Sequence, residues 1–431
     1  MKPRAVKPRP AGRTVPEGRS LVPFALAALV AIGALLRVLS FLEGVPVRSP
    51  DEYVYTDYAS RIVDRGPGVI PKLVAEYESK PVDWVFPPPT RIGYVSLVAV
   101  AMQVSGVRDF SVGAAVSCLF SCLSLVLVAW FGWRFFNPWI ALSAATFLGV
   151  SVGELGMAVR AWQDATFGFL GLLLAYLACE ITRSPRRLRW YLAFLAAGAY
   201  SLLTKETGFI VYGLCAAWVL GVLLVKERSW KAAALLVLGG VASLAGAALV
   251  WSAVCGGLRP VLSVLGHAAR SRNSDWTVQH CSGPWYQFPY LLWIVGPATA
   301  ALALVGTLVP ALRRRLLSRA EREGGIADWR AAGVAALIAV GFVALASFGP
   351  SFQYLRIISP ADGAYCLLAG LGLWYLLWLA RRGVPASGHR ALLVLITVAV
   401  AISAARDYRT FRSLTGAGDL AVRFVREALQ R

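Results

Sequence analysis

The chain has 431 residues, with 43 Lys and Arg against 23 Asp and Glu for a formal charge of +20, yet only 15% of it is charged and 58% is hydrophobic. Soluble proteins carry about 25% charged residues. An apolar but basic chain therefore excludes a disordered tail protein and argues against a nucleic-acid binder, whose basic face sits among charges of both signs.

The composition is that of a multi-pass helical membrane protein, and its fifteen Trp and fifteen Tyr are rings of the kind that settle at membrane interfaces. Residues 1–20 read as a basic cytoplasmic arm carrying Lys2, Arg4, Lys7, Arg9, Arg13 and Arg19. The apolar run 21–42 is too long for a signal-peptide core, and the EGVPVRSPDE that follows offers no small-residue cleavage site, so it is expected to be the first span. Further runs near spanning length lie at 112–133, 138–156, 165–182, 190–204, 208–225, 232–254, 289–311, 331–349, 361–380 and 391–405. A twelfth, 91–107, contains Arg91 and Gln103 and borders Arg108 and Asp109.

Charge parity decides that twelfth run. If 91–107 does not cross, the loops holding RSPRRLR, KERSWK, RRRLLSRAER and RR…HR all fall on the cytoplasmic side with the N-terminal arm. If it crosses, all of them fall outside. The expectation is thus an all-α polytopic protein of about 11 transmembrane helices spread over 21–405. Its first outer loop is 43–111, with juxtamembrane helices, its second is 255–288, and its extracytoplasmic tail is 406–431. No 20–50-residue period repeats, so a solenoid is excluded.

With this topology the unusual polar residues gather on the outer side. Asp51 and Glu52 follow a proline and open a segment whose Tyr55, Tyr58, Ala59, Ile62 and Val63 have helical spacing, predicting a helix on the bilayer surface that ends at Gly66-Pro67-Gly68. The plain alternative for the two acids is a helix cap. VRAWQD places Arg160 four residues before Asp164, where a local charge pair would also serve. Lys205 and Glu206 break an apolar stretch; ionisable residues at membrane depth are costly and point to function, although a mutual pair is the plain alternative. The 255–288 loop adds His267, Arg270, Arg272, Asp275, His280 and GPWYQFPY with Tyr286, and FQYLR adds Tyr354 and Arg356. Acids, one lysine and several arginines on one face suit an enzyme whose cations neutralise a lipid phosphate while a carboxylate takes a proton from an acceptor hydroxyl.

On these residues the chain resembles the GT-C glycosyltransferases, and within them the dolichyl-phosphate-mannose protein mannosyltransferase-like group that includes the lipid A aminoarabinose transferases. The match is carried by Asp51-Glu52 after the first span, FPPPTRIGY, Arg160 and Asp164 in VRAWQDATFGF, and Lys205-Glu206-Thr207-Gly208. It covers about 20–225 well and then rests on hydropathy, GPWYQFPY and QYLR. The resemblance implies inverting transfer of one sugar from a polyprenyl-phosphate donor to a lipid, glycan or protein acceptor on the extracytoplasmic face. Asp51 would be the base or acceptor orienter, supported by Glu52, with Asp164 as a second carboxylate. Lys205 and Arg356, and less directly Arg270 and Arg272, would contact the donor phosphate, with Tyr55, Arg160, Glu206, Tyr286 and Tyr354 lining the cavity. Some relatives hold a divalent metal ion, for which Glu76, Glu78, His267 and His280 are the candidates here, although no ligand spacing supports one. The chain departs from the eukaryotic mannosyltransferases in having FPPPTR where they carry His-Pro-Pro-Leu-Gly, and in having no large lumenal insert.

Of seven cysteines, Cys255 and Cys281 bound the second outer loop, where a disulfide would staple it. There is no CxxC, Walker or GxGxxG pattern, so neither a structural zinc site nor a nucleotide fold is expected. The rival reading, a lipid-linked-sugar flippase or exporter, would place cations at the bundle centre and repeat its halves. A structural scaffold would leave Lys205-Glu206 unexplained.

Overall fold

A computed structural model describes residues 21–45, 48–271, 283–316, 328–348, 355–383 and 389–414. Among these the chain is helical, with no strand. Helix α1 (Leu21–Glu43) leads into α2 (Pro50–Arg65), α3 (Ile70–Ser79) and α4 (Ile92–Ser105), all before α5 (Phe110–Phe135). Then come α6 (Pro138–Gly149), α7 (Val152–Ala158), α8 (Asp164–Arg183), α9 (Leu188–Thr204), α10 (Gly208–Lys226), α11 (Trp230–Cys255) and α12 (Leu258–Ser271). The last five are α13 (Gln287–Val295), α14 (Pro297–Leu316), α15 (Trp329–Phe348), α16 (Ser359–Gly383) and α17 (His389–Leu414).

Local chemistry sets these boundaries. Asn137 accepts from the Trp139 and Ile140 amides and Pro138 needs no donor, so α6 starts there. Asp109 caps α5 by accepting from the Ser111 amide. Gly106 and Gly256, at φ +71° and +81°, close α4 and α11 in the left-handed conformation that suits glycine.

Among the described residues seven helices are long and apolar enough to cross a membrane, or eight if α6 and α7, bent by 57°, count as one span. The protein is thus a polytopic helical membrane protein, and the described residues do not confirm the eleven crossings expected. Four of the expected runs are not among those seven, and two of the four are broken. The 138–156 run bends between α6 and α7, and the 289–311 run divides at Gly296-Pro297, where proline cannot continue α13. The 190–204 run becomes the 17-residue α9. The 391–405 run does not end at 405: α17 continues to Leu414 and buries Phe411 against Val152, Leu155 and Val159. Residues 406–414 therefore continue a bundle helix instead of opening a separate tail.

The core is threaded by α8, which is buried along nearly its whole length by α5, α7, α9, α10, α15 and α16. By contrast α1 and α11 expose Leu, Ile and Val along most of their length, as faces turned to lipid do. The juxtamembrane helices behave differently from the sequence expectation. The apolar face of α2 does not lie on the bilayer: Tyr55 and Ala59 are buried against Tyr94, Val95, Val98, Ala99 and Met102 of α4. A 16-residue helix with a narrow apolar stripe buries it on the nearest apolar partner, and α4 supplies one.

Candidate active site

The site begins with the cap of α2. Ser49 is the N-cap, Pro50 follows it, and the Glu52 carboxylate reaches back to accept from the Ser49 amide at 2.8 Å. The same carboxylate accepts from Arg48 Nη1 at 2.9 Å, Arg160 Nη1 at 3.0 Å and the Ala161 amide at 3.0 Å. Trp162 Nε1 donates to Ser49 Oγ at 2.8 Å. Glu52 and Arg160 are both fully buried, so this knot ties the start of α2 to the approach of α8. With four donors on two oxygens, Glu52 is a fixed structural anion.

Asp51, one residue earlier, has a different environment. Its Oδ2 lies 2.8 Å from Arg356 Nη2, and both side chains keep 15–19% exposure. The Arg356 guanidinium sits over the Trp162 ring at 4.5 Å, a cation–π contact. Trp162 is therefore shared by the Glu52 knot and the Asp51 pair.

The second pair joins Lys205 Nζ to Asp164 Oδ1 at 2.5 Å, with both side chains almost fully buried. Asp164 occupies the first turn of α8, where the helix dipole favours an acid. Lys205 ends α9 in extended backbone, so the ammonium points away from the helix and lies 5.3 Å from the Phe167 ring centre. Burial draws the Lys205 ammonium below its ordinary value, Asp164 partly restores it, and Arg91 and Arg356 repel it further.

The third pair is bidentate: Arg91 Nε and Nη2 each donate to Glu206 at 2.9 Å. Arg91 Nη1 also donates to Tyr55 Oη at 2.8 Å. Burial alone would push the Glu206 carboxyl up, but Arg91 outweighs it and holds the carboxyl below the usual range. Burial pushes the Tyr55 phenol up, with Arg91 opposing and Asp51 and Asp164 adding to the rise. Gln163 closes the ring: with its amide turned to satisfy its neighbours, Oε1 accepts from Arg91 Nη1 at 2.7 Å and Nε2 donates to the Thr204 carbonyl at 3.2 Å.

Arg91 owes its place to FPPPTR. Prolines lack N–H donors but offer carbonyls. Tyr58 Oη donates to the Pro87 carbonyl at 3.3 Å, Tyr77 Oη to that of Phe86 at 3.2 Å, and Trp251 Nε1 to that of Thr90 at 2.9 Å. Gly93 then lets α4 touch the end of α9, since a Cβ there would lie 2.7 Å from Thr204 Oγ1 and 2.9 Å from the Leu203 carbonyl carbon.

The structure thus gathers Asp51, Tyr55, Asp164, Lys205, Glu206 and Arg356 at one end of the bundle. It replaces both local pairs of the plain reading. Arg160 joins Glu52 and Asp164 joins Lys205, and Glu206 pairs with Arg91 in place of its neighbour. Arg91, Gln163 and Trp162 are members the sequence reading did not nominate. In the sequence Arg91 stands out only as a charged residue in the 91–107 run.

The remaining candidates lie elsewhere. Arg270 stands 5.6 Å from the Trp84 ring centre, and His267 stacks on that ring at 3.8 Å. Tyr286 is 46% exposed beside Trp285. Arg61 holds Glu76 through contacts of 2.8 and 2.9 Å. Glu78 is within electrostatic reach of His267, whose Nδ1 is buried without a partner, but the described residues contain no group of three or more His, Cys, Asp or Glu fit to hold a metal ion. Arg272, Asp275, His280, Cys281 and Tyr354 lie outside the described residues, and so does a Cys255–Cys281 bridge. Cys255 itself packs among Ile70, Val74 and Tyr77.

The chain aligns with ArnT from Cupriavidus metallidurans bound to undecaprenyl phosphate at a TM-score of 0.58 and 18% identity, over 91% of this chain and 73% of that one. It aligns with the oligosaccharyltransferase AglB of Archaeoglobus fulgidus, in complex with an inhibitory peptide and a dolichol-phosphate, at a TM-score of 0.60 and 13% identity, over 94% of this chain and 57% of that one. The fold is that of the GT-C glycosyltransferases. Among curated proteins it matches the undecaprenyl phosphate-alpha-4-amino-4-deoxy-L-arabinose arabinosyl transferase of Pectobacterium atrosepticum, 29% identical over 305 residues, or 67% of this chain. The chain spans 50% of that relative's length. No family model matches the sequence.

Proposed function

We propose that the chain is an integral-membrane glycosyltransferase that moves a single sugar from a polyprenyl-phosphate carrier to an acceptor hydroxyl on the extracytoplasmic face, with inversion. In this reading the N-terminus is cytoplasmic and the Asp51 end of the bundle faces out. The supporting observation is the convergence of three acid–base pairs, Asp51·Arg356, Asp164·Lys205 and Glu206·Arg91, around Tyr55. The fold shared with a structure holding undecaprenyl phosphate and the similarity to an arabinosyl transferase point the same way.

The chemistry follows from exchanging partners. The donor phosphate enters between Lys205 and Arg356, the two cations whose fields already meet, and draws Arg356 away from Asp51. Asp51 is then free to take the proton of the acceptor hydroxyl. The acceptor oxygen attacks the anomeric carbon from the face opposite the phosphate, and the carbon–oxygen bond to phosphate breaks. The electron pair leaves on the polyprenyl phosphate, where Lys205 and Arg356 neutralise it. Asp164 holds Lys205 in place beforehand, and Glu206 does the same for Arg91. Glu52 positions the start of α2 and does not react.

The test is binding of undecaprenyl phosphate to the full chain in nanodiscs, read by tryptophan fluorescence, because Trp162 lies against Arg356. Lys205→Ala and Arg356→Ala are expected to weaken binding at least about tenfold, a loss typical of a removed charged partner. Asp51→Asn is expected to bind at least as well as the parent while losing transfer in membranes supplied with lipid-linked donor. Parent-level binding by Lys205→Ala, or transfer by Asp51→Asn, would overturn the assignment.

A further inference from the structure

A second set of acids is buried apart from the ring, and no lining residue is common to both. Asp362 in the first turn of α16 and Asp407 in α17 line one cavity of about 30 Å³, together with Ser151, Thr299 and Tyr365. That volume suits about two water-sized occupants. Asp407 is 4% exposed and its Oδ1 is buried without a hydrogen-bond partner; the Tyr365 hydroxyl beside it is also unpartnered. Among the described residues neither Asp362 nor Asp407 has an ion pair. The nearest buried acid is accounted for differently: Glu154 accepts from Ser121 Oγ at 2.7 Å, Ser121 accepts from Arg37 Nε at 2.8 Å, and Arg37 offsets that charge.

The walls of the cavity are the two helix breaks already described. One is the 57° bend between α6 and α7, beside Ser151, and the other is Gly296-Pro297 between α13 and α14. Breaks at membrane depth leave carbonyls without an intrahelical partner, and they occur where backbone lines a cavity that holds an ion or a substrate. Gly296 brings the chain close to Asp407: a Cβ there would lie 3.5 Å from Asp407 Oδ2 and 3.7 Å from Thr299 Oγ1. The cavity therefore offers hard oxygen acceptors, two of its lining residues are aspartates, and none is a Lys, Arg or His.

We propose that this cavity is a binding site for a monovalent cation, sodium, held by Asp362 and Asp407 with the hydroxyls of Thr299 and Tyr365. A small cavity held away from water accommodates one net charge more readily than two, which favours a monovalent ion. Hard carboxylate and hydroxyl oxygens suit sodium, while magnesium would keep more waters than the volume admits. The ion would tie α16 and α17 to the two breaks, and it takes no part in the sugar transfer proposed above.

The test is thermal unfolding of the purified full chain at about pH 8, above the usual carboxylate range, in sodium chloride against N-methylglucamine chloride at equal ionic strength. Sodium is expected to raise Tm saturably by about 2–4 °C, and Asp407→Asn or Asp362→Asn is expected to abolish the rise. Equal melting in both salts, or a sodium response that persists in both variants, overturns the site. Should the variants not fold, equilibrium binding of radioactive sodium to the unmodified protein decides: one saturable site is expected, and its absence ends the proposal. Neither readout uses the donor or the acceptor, so its failure is separate from failure of the transferase reading.

Discussion

Helix α8 joins two ends of the bundle whose ion pairs are built on different plans. Its first turn holds Asp164, and Glu180 lies about 24 Å further along the axis at the helical rise. At the Glu180 end the charges act as staples between neighbouring elements. Glu180 accepts from Arg134 Nε at 2.9 Å and Tyr176 Oη at 3.2 Å, and Trp130 Nε1 donates to Tyr176 at 3.0 Å. Arg330 donates to Glu227 and to the Thr182 carbonyl, each at 2.6 Å. At the Asp164 end the pairs crowd each other instead. Lys205 feels Arg91 and Arg356 as well as its own partner, and Tyr55 feels both Asp51 and Asp164. A cation that also bonds a backbone carbonyl is anchored whichever anion is near, whereas cations that repel one another accept a further anion with gain. The first arrangement stabilises the fold, and the second is suited to exchanging partners with a phosphate.

The sharpest way to break this contrast lies in the crowded end itself, because Glu52 is its exception. It is fully buried and fully hydrogen-bonded, so Glu52→Gln removes the Glu52 charge that faces the buried Arg160 guanidinium. Breaking a buried pair by removing one partner costs about 3–5 kcal/mol. The variant should lose most of its folded yield in detergent, measured by size-exclusion chromatography, while Asp51→Asn one residue away stays folded. Parent-like yield for Glu52→Gln would place Glu52 with the exchangeable pairs. At the stapled end, Arg330→Ala removes one charged and one carbonyl contact from a partly exposed side chain, for about 1–2 kcal/mol. It should lower thermal stability and leave undecaprenyl phosphate binding unchanged. A loss of binding comparable with Lys205→Ala would erase the distinction between the ends.

Part of this arrangement was legible in the residues. Asp51, Asp164 and Lys205 announced themselves because ionisable groups break apolar runs at the same end of successive helices. The membrane class followed from composition alone. Partner choice was not legible, since Glu206 and Arg91 are 115 residues apart and meet only because α4 folds back against α9 at Gly93. Adjacent acids such as Asp51 and Glu52 look alike in a sequence, and burial alone separates the anchored one from the solvated one. Asp362 and Asp407 passed unnoticed as single acids at the edges of apolar runs. Their meaning depends on two helix breaks that hydropathy reads as continuous spans. The same cause hides two breaks inside the eleven expected runs, because a bend inside an apolar run leaves the composition unchanged.

The smallest expected effect concerns Glu206, and its sign follows from the held-down carboxyl. A group whose folded pKa lies below its unfolded value contributes stability above the unfolded carboxylate range, near about 4.3, and loses it as pH falls through the folded value. Glu206→Gln keeps the shape and a hydrogen-bond acceptor but removes the charge. Its stability deficit against the parent should be about 1 kcal/mol near neutrality, because both side chains of the Glu206–Arg91 pair remain 15–18% exposed and water screens them. The deficit should shrink as pH drops from about 5 to 3, where the parent carboxyl also becomes neutral. Melting curves of both proteins across that range measure it. A deficit that stays constant with pH would mean that Glu206 acts through shape alone, and Arg91 would then belong with the stapled cations of the opposite end.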